Sequence, residues 1–155
     1  MERRTERRDH DRGRWSEDQY VGDQRDGVWT VFRKDGSKEL ERQYVGGVQH
    51  GYQRKWAAAG LLLEEKWFRS GELHGTWRIW DGAGVLRQES NFLDGKPQGL
   101  QSNWDERGQL IARGTVTEGV REGTFVVQVL SADEMTTKQM VVEFRSGKPL
   151  TDLNW

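Results

Sequence analysis

A large apolar side chain returns every 12 residues along this chain, at Tyr20, Phe32, Tyr44, Trp56, Phe68, Trp80, Phe92 and Trp104; Val116 continues the series and Gln128 ends it. Glycine recurs at twice that interval. One series falls at 27, 51, 75, 99 and 123, a second at 36, 60, 84 and 108, and a third at 47, 71, 95 and 119, each step being 24 residues. The stretches WTVFR, LLLEEKWFR, TWRIW and TVTEG read as strands, and KDGS, VGGV, DGAG and LDGK read as turns. Asp-Gly and Gly-Gly favour tight hairpins because glycine accepts the positive φ such turns need. Twelve residues suit one strand of about 5–6 residues plus one turn. A helical reading fails, since a glycine every 9 to 15 residues would interrupt each helix.

The pattern predicts an all-β fold: an antiparallel meander of β-hairpin repeats in 24-residue units, about ten strands in all. Equal spacing predicts that each 12-residue slot lies beside the next across the sheet, about 4.8 Å away. The slots would then form one aromatic ladder from Tyr20 to Trp104 on one face. Two more slots add apolar surface, Leu62, Leu86 and Leu110 in one, and Trp29, Gln53, Trp77, Gln101 and Phe125 in the other. Three segments follow. Residues 1–19 are charge-dense and are expected to be a disordered N-terminal arm. Residues 20–122 form the repeat array. Residues 123–155, which leave the 24-residue period in TFVVQVLSADEMTTKQMVVEF, are expected to be an atypical capping hairpin, because terminal repeats cap an array. An expanded fifth repeat is equally consistent, because FRSGKPL at 144–150 resembles FLDGKPQ at 92–98.

The totals sharpen this picture. Among 155 residues, 32% are charged and 34% hydrophobic, so aliphatic core is scarce; eight tryptophans supply large flat groups that stack on neighbours instead. A net charge of −1 gives no field that would draw nucleic acid or an anionic membrane. Arg3, Arg4, Arg7, Arg8, Arg12 and Arg14 are interleaved with Glu2, Glu6, Asp9 and Asp11, too little net charge for phosphate-driven affinity, so no nucleic-acid partner is expected. The absence of cysteine excludes disulfide staples and thiolate metal sites and fits a reducing, cytoplasmic location. MERRTERRDH lacks a following apolar run, so no secretory signal is expected, and no stretch reaches the roughly 20 apolar residues of a membrane span.

The pattern G-x-W-x-x-(F/W)-x-x-x-G-x-L ending in (Y/F)-x-x-G-x-x-H-G is read from the units GVWTVFRKDGSKELERQYVGGVQHG (27–51), which has Lys38 at the leucine position, and GTWRIWDGAGVLRQESNFLDGKPQG (75–99), which has Gln98 at the histidine position. This resembles the MORN-repeat family, and more closely its bacterial YwqK-type variant. GYQRKWAAAGLLLEEKWFRSGELHG (51–75) matches but lacks the first tryptophan, and the unit at 99–123 keeps Trp104 while Val116 replaces its second aromatic residue. The resemblance covers residues 20–123. It implies an antitoxin or immunity protein that neutralises a cognate bacterial toxin by direct binding; MORN arrays more broadly imply a structural scaffold for protein assembly or self-association. It carries over no interaction residue.

The repeat also serves as a control for chemistry, since a residue present at one slot in several units is explained by the architecture. His50 and His74 share a slot with Asp26, Gln98 and Glu122. Two strands separate the histidines, about 9.6 Å, too far to share a zinc ion whose nitrogens lie about 2.1 Å away; hydrogen bonding in turns is the expected role. Glu41, Glu65 and Glu89 form a solvated charge row, with Arg54 and Arg78 placed to pair across strands. No nucleophile elbow, phosphate-binding loop, metal spacing or cofactor fingerprint appears, so neither catalysis nor a cofactor is expected. The residues the repeat leaves unexplained are Trp67, whose counterparts are Gln43, Asn91 and Thr115; Tyr52, which replaces Val28, Thr76 and Leu100; and Leu63, whose counterparts include Glu39 and Arg87. Trp67 precedes Phe68 and so points to the opposite face, with Leu63 at the same parity. Trp67, Leu63 and Tyr52 are the candidate partner-binding residues, because an apolar patch on a polar face marks interaction sites.

Overall fold

The computed structural model describes residues 2–130 and 137–150. They form one 13-stranded antiparallel sheet in which every strand pairs with its sequence neighbours. The strands are β1 (Arg3–Asp9), β2 (Trp15–Val21), β3 (Gln24–Phe32), β4 (Lys38–Val45), β5 (Val48–Trp56), β6 (Leu62–Arg69), β7 (Glu72–Trp80), β8 (Leu86–Leu93), β9 (Lys96–Trp104), β10 (Leu110–Thr117), β11 (Val120–Leu130), β12 (Thr137–Arg145) and β13 (Lys148–Pro149). No second layer covers the sheet among the described residues, whose inter-strand contacts run between successive strands. The predicted meander of hairpins is the observed architecture, extended at both ends.

Two kinds of hairpin alternate. At one end of the sheet, turns of the Ser70-Gly71 type hold both central residues at positive φ: 55° and 82° at Gly46-Gly47, 49° and 87° at Ser70-Gly71, 48° and 78° at Asp94-Gly95, 50° and 84° at Glu118-Gly119. These are the values of a type I′ turn, whose twist matches the strands it joins. Each turn is also tied to the preceding hairpin. The glycine N–H groups of 47, 71, 95 and 119 donate to the carbonyls of Arg25, Gln49, Leu73 and Pro97 at 2.7 to 2.9 Å. At the other end Asp81 and Asp105 accept two backbone N–H groups each within their own loops. Such Asx-type bonds fix a loop without tertiary support.

The register corrects the expected ladder. Tyr44 lies opposite Gly27 and Gln49, and Phe68 opposite Gly51 and Leu73, so neither stands beside Trp56, which ends β5 opposite Leu62. Chain reversal places alternate 12-residue slots at opposite ends of the strands. The series therefore splits into two rows, Tyr20, Tyr44, Phe68, Phe92 and Val116 beside the tight turns at one end of the sheet and Phe32, Trp56, Trp80 and Trp104 beside the loops at the other. In the first row the glycines at 27, 51, 75 and 99 lie directly across from Tyr44, Phe68, Phe92 and Val116.

Alternation along the strands sorts the side chains into two faces. Tyr20, Val31, Val116, Phe125 and Val142, the buried hydrophobic residues, all fall on one. Trp29 and Trp77 lie on it too, under Arg42 at 5.0 Å and Lys66 at 4.5 Å from the ring centres. The opposite face carries the charge row. Its order across the sheet is Thr30, Glu41, Arg54, Glu65, Arg78, Glu89, Ser102, so the carboxylates are separated by guanidinium groups.

The N-terminal segment expected to be disordered is instead ordered into β1 and β2, joined across a short 3-10 turn at Asp11–Gly13. Its seven strand residues carry no apolar side chain, but β2 offers rings that cations cover. Arg4 lies 4.8 Å from the Tyr20 ring centre and Arg7 4.2 Å from that of Trp15, while Trp15 stacks on Phe32 at 4.0 Å. Beside them Asp18 is buried and accepts from Arg25 Nε at 2.8 Å. At the other end, Ser146-Gly147 repeats the positive-φ turn and its tie, the Gly147 N–H reaching Arg121 O at 3.1 Å. Gly147 follows Gly119 by 28 residues rather than 24, so β11 and β12 have the form of an enlarged fifth repeat. Residues 131–136 and 151–155 of the expected cap lie outside the described residues.

Candidate functional site

Four successive hairpins each contain a bulge beside their tight turn. Between the pairs Asp18↔Trp29 and Tyr20↔Arg25, the single residue Gln19 faces three residues, 26–28. Gln43 likewise faces 50–52, Trp67 faces 74–76 and Asn91 faces 98–100. Two extra residues preserve the alternation, so faces are not exchanged, but they leave a backbone N–H without a ladder partner. In the first two bulges the facing glutamine supplies it: Gln19 Oε1 accepts from the Val28 N–H, and Gln43 Oε1 from the Tyr52 N–H, both at 2.9 Å. The middle bulge residue is glycine at positive φ, 113° at Gly27 and 100° at Gly51, which also makes room for the glutamine.

The third bulge differs. Trp67 has no acceptor to offer, and no side chain among the described residues accepts from the Thr76 N–H. Its indole packs edge-on against Tyr52, with ring centres 4.4 Å apart and planes at 83°. Around the two rings lies a shallow depression of about 340 Å³ lined by Tyr52, Glu65, Trp67, His74, Gly75, Thr76 and Arg78. The structure thus brings Trp67 and Tyr52 together as direct cross-strand partners. It does not bring in Leu63, which is the extra residue of a different bulge, between Lys55↔Glu64 and Trp56↔Leu62. Four residues along the strand separate it from Trp67, about 13 Å.

Charge frames the depression. Glu65 accepts from Arg54 Nε at 2.7 Å and lies 3.6 Å from Arg78, which also donates to Glu89 at 2.7 Å. Arg54 in turn covers the Tyr52 ring at 4.3 Å. Sequence spacing had marked Glu65, Arg54 and Arg78 as a cross-strand set; that Arg78, His74 and Thr76 border Trp67 follows only from the bulge, which carries no signal beyond the glycine at its centre.

The histidine slot serves the turns. His50 Nδ1 accepts from the Ser70 N–H at 3.5 Å, as Asp26 does from Gly46, Gln98 from Glu118 and Glu122 from Ser146. At the third turn the partner is itself acidic. Asp94 takes a 2.7 Å bond from Arg69 and lies 3.3 Å from His74 Nδ1. The Arg69 hydrogen bond, with His74 contributing, holds the Asp94 carboxyl below the usual carboxylate range. Among the described residues no three His, Asp or Glu side chains converge as a metal site, and no helix is long and apolar enough to cross a membrane.

Fold and site together define an all-β hairpin-repeat protein whose buried hydrophobic side chains share one face and whose charge row lies on the other, beside an aromatic depression. No family model matches the chain, and no curated protein matches it.

Proposed function

We propose that this chain is a non-catalytic protein-binding module of the bacterial cytoplasm, which neutralises a cognate toxin by direct binding. The observation that carries the binding role is the Tyr52–Trp67 pair. It places two large rings at the one bulge of the charged face where a tryptophan stands in for a glutamine or asparagine. Tryptophan and tyrosine dominate binding hot spots, and a surround of paired charges such as Glu65–Arg54 and Arg78–Glu89 excludes water from the contact. The toxin as target rests on the resemblance of residues 20–123 to YwqK-type repeats. A scaffold that self-associates is the second reading, supported by the open outer edge of β1, which pairs on one side only among the described strands.

Affinity capture from the native host, with wild type and Trp67→Ala compared, tests this. The expected result is one stoichiometric partner that is toxic when expressed alone, is neutralised by co-expression of wild type, and binds Trp67→Ala weaker by about 2 kcal/mol or more. The variant should lose less stability than affinity, because Trp67 is only half-buried. Capture of only further copies of the chain, or of several assembly proteins, would move the reading to the scaffold.

A further inference from the structure

We infer that the outer edge of β1 pairs with β1 of a second copy of this chain, antiparallel and centred on Thr5, so that two sheets join into one. This rests on the self-associating reading above, gives it a place and a register, and leaves Trp67 on β6 clear for another partner. The two edges of the sheet are unlike. Among the described residues β13 closes one with two residues, one of them Pro149, which has no N–H to offer. β1 closes the other with seven residues, no proline and an unbroken register against β2. Its outer backbone groups therefore form a ladder without a partner among the described strands. The hairpin fixes which groups these are. The His10 N–H donates to Arg14 O at 2.7 Å. Alternation along the strand then turns the backbone groups of Arg8, Glu6 and Arg4 toward β2 and those of Arg7, Thr5 and Arg3 outward.

Charge selects the second copy as the occupant. Glu2, Arg4, Glu6 and Arg8 lie on the face of Tyr20 and alternate in sign. Such a row, reversed, is its own complement. Within one chain Glu6 draws Arg4 at 2.9 Å and Arg8 at 3.0 Å, which keeps the row aligned along the edge. A two-fold axis through Thr5 sets Arg4 opposite Glu6 and Glu2 opposite Arg8, each twice, as directly facing cross-strand pairs. The same axis pairs Arg3 with Arg7 and Thr5 with itself, the residues whose backbone groups point outward. Arg3 and Arg7 meet on the other face, but each has a carboxylate of its own, Asp26 at 3.6 Å and Asp9 at 3.4 Å. The neighbouring registers are poorer. Centring on Arg4 or Glu6 opposes each of these to its own copy and sets like charges across from each other beside it. Centring on Arg7 opposes two guanidinium groups and keeps only the Glu6–Arg8 pairs.

Sedimentation equilibrium of the full chain is the test. A monomer–dimer equilibrium is expected, and added salt should weaken it because the charge pairs lie at an exposed edge. Glu6→Arg alone and Arg4→Glu alone should each raise the dissociation constant about tenfold or more, since each sets like charges across the axis. An equimolar mixture of the two variants should recover the dimer, because one chain then carries only cations at these positions and the other only carboxylates. A β1 that had simply frayed would not be rescued by mixing. Amide exchange reads the register: the N–H groups of Arg3, Thr5 and Arg7 should slow as protein concentration rises, while those of Arg4, Glu6 and Arg8 hold steady. A mixture that stays monomeric, or slowing at amides other than Arg3, Thr5 and Arg7, would overturn the inference while leaving self-association through another surface. A wild-type chain that is monomeric at every concentration would overturn the inference and the scaffold reading together, and would leave the toxin-binding reading, tested at Trp67, untouched.

Discussion

Replacing Gly51 by alanine is expected to lower the melting temperature by about 10 °C. Two effects add. Gly51 holds φ at 100°, a conformation that costs a residue bearing a Cβ about 1–3 kcal/mol. The new Cβ would also sit 2.1 Å from Gln43 Oε1 and displace the side chain that accepts the Tyr52 N–H, leaving that group unpaired at a further cost of about 1–3 kcal/mol. For a chain of this length each kcal/mol is worth about 2–4 °C. Gly60→Ala separates the two contributions. Gly60 has φ of 80° but nothing within 4 Å of a Cβ, so only the backbone strain applies and the loss should be less than half as large. Equal losses at the two positions, read by thermal unfolding, would mean that the glutamine cap contributes nothing.

Phe125→Ala is expected to cost about 3–5 kcal/mol, as for a buried ring cut back to a methyl. Phe125 is 8% exposed, lies over Gly114, meets Phe144 edge-on at 5.1 Å and pairs with Val142, which is 2% exposed. Gly114 has no side chain because the ring occupies the place of one; a Cβ there would stand 2.2 Å from Phe125 Cδ1. Since each hairpin touches mainly its neighbours, the damage should be confined. Hydrogen exchange should show β10 to β12 losing protection while β4 to β8 keep theirs. Uniform loss along the chain would show that the array unfolds as one unit.

The glycine series and the 12-residue apolar slots made the hairpins legible, since each turn is a local event written in its own residues: Asp94-Gly95 and Ser70-Gly71 need no distant partner to adopt positive φ. Register was less legible. Equal spacing of Tyr44, Trp56 and Phe68 looks like adjacency in a sequence, but antiparallel reversal sends Trp56 to the far end of β5, and nothing in the residues themselves announces which slots share an end. Leu63 lies apart from Trp67 for another reason, four residues of strand and a bulge of its own. The N-terminal strands were obscured by a different cause. Arg3–Asp9 has no apolar residue, and its order derives from cations over Tyr20 and Trp15, contacts that hydrophobic periodicity does not register. Trp67 and Tyr52 stood out because the repeat failed to account for them; that they touch was decided by the register.

Because each strand pairs with its neighbours in sequence and no second layer spans the sheet among the described residues, the chain is mechanically a folded ribbon. Tension on its two ends loads the hydrogen bonds of the terminal strands one after another, as in opening a zip, instead of shearing many together. Each repeat that gives way releases 24 residues, about 80 Å of contour length at the extended rise of the backbone. Force on the protein would therefore be met in near-equal steps, and a partner seated at Trp67 would bridge β5, β6 and β7 and act as a clasp across the middle of the ribbon.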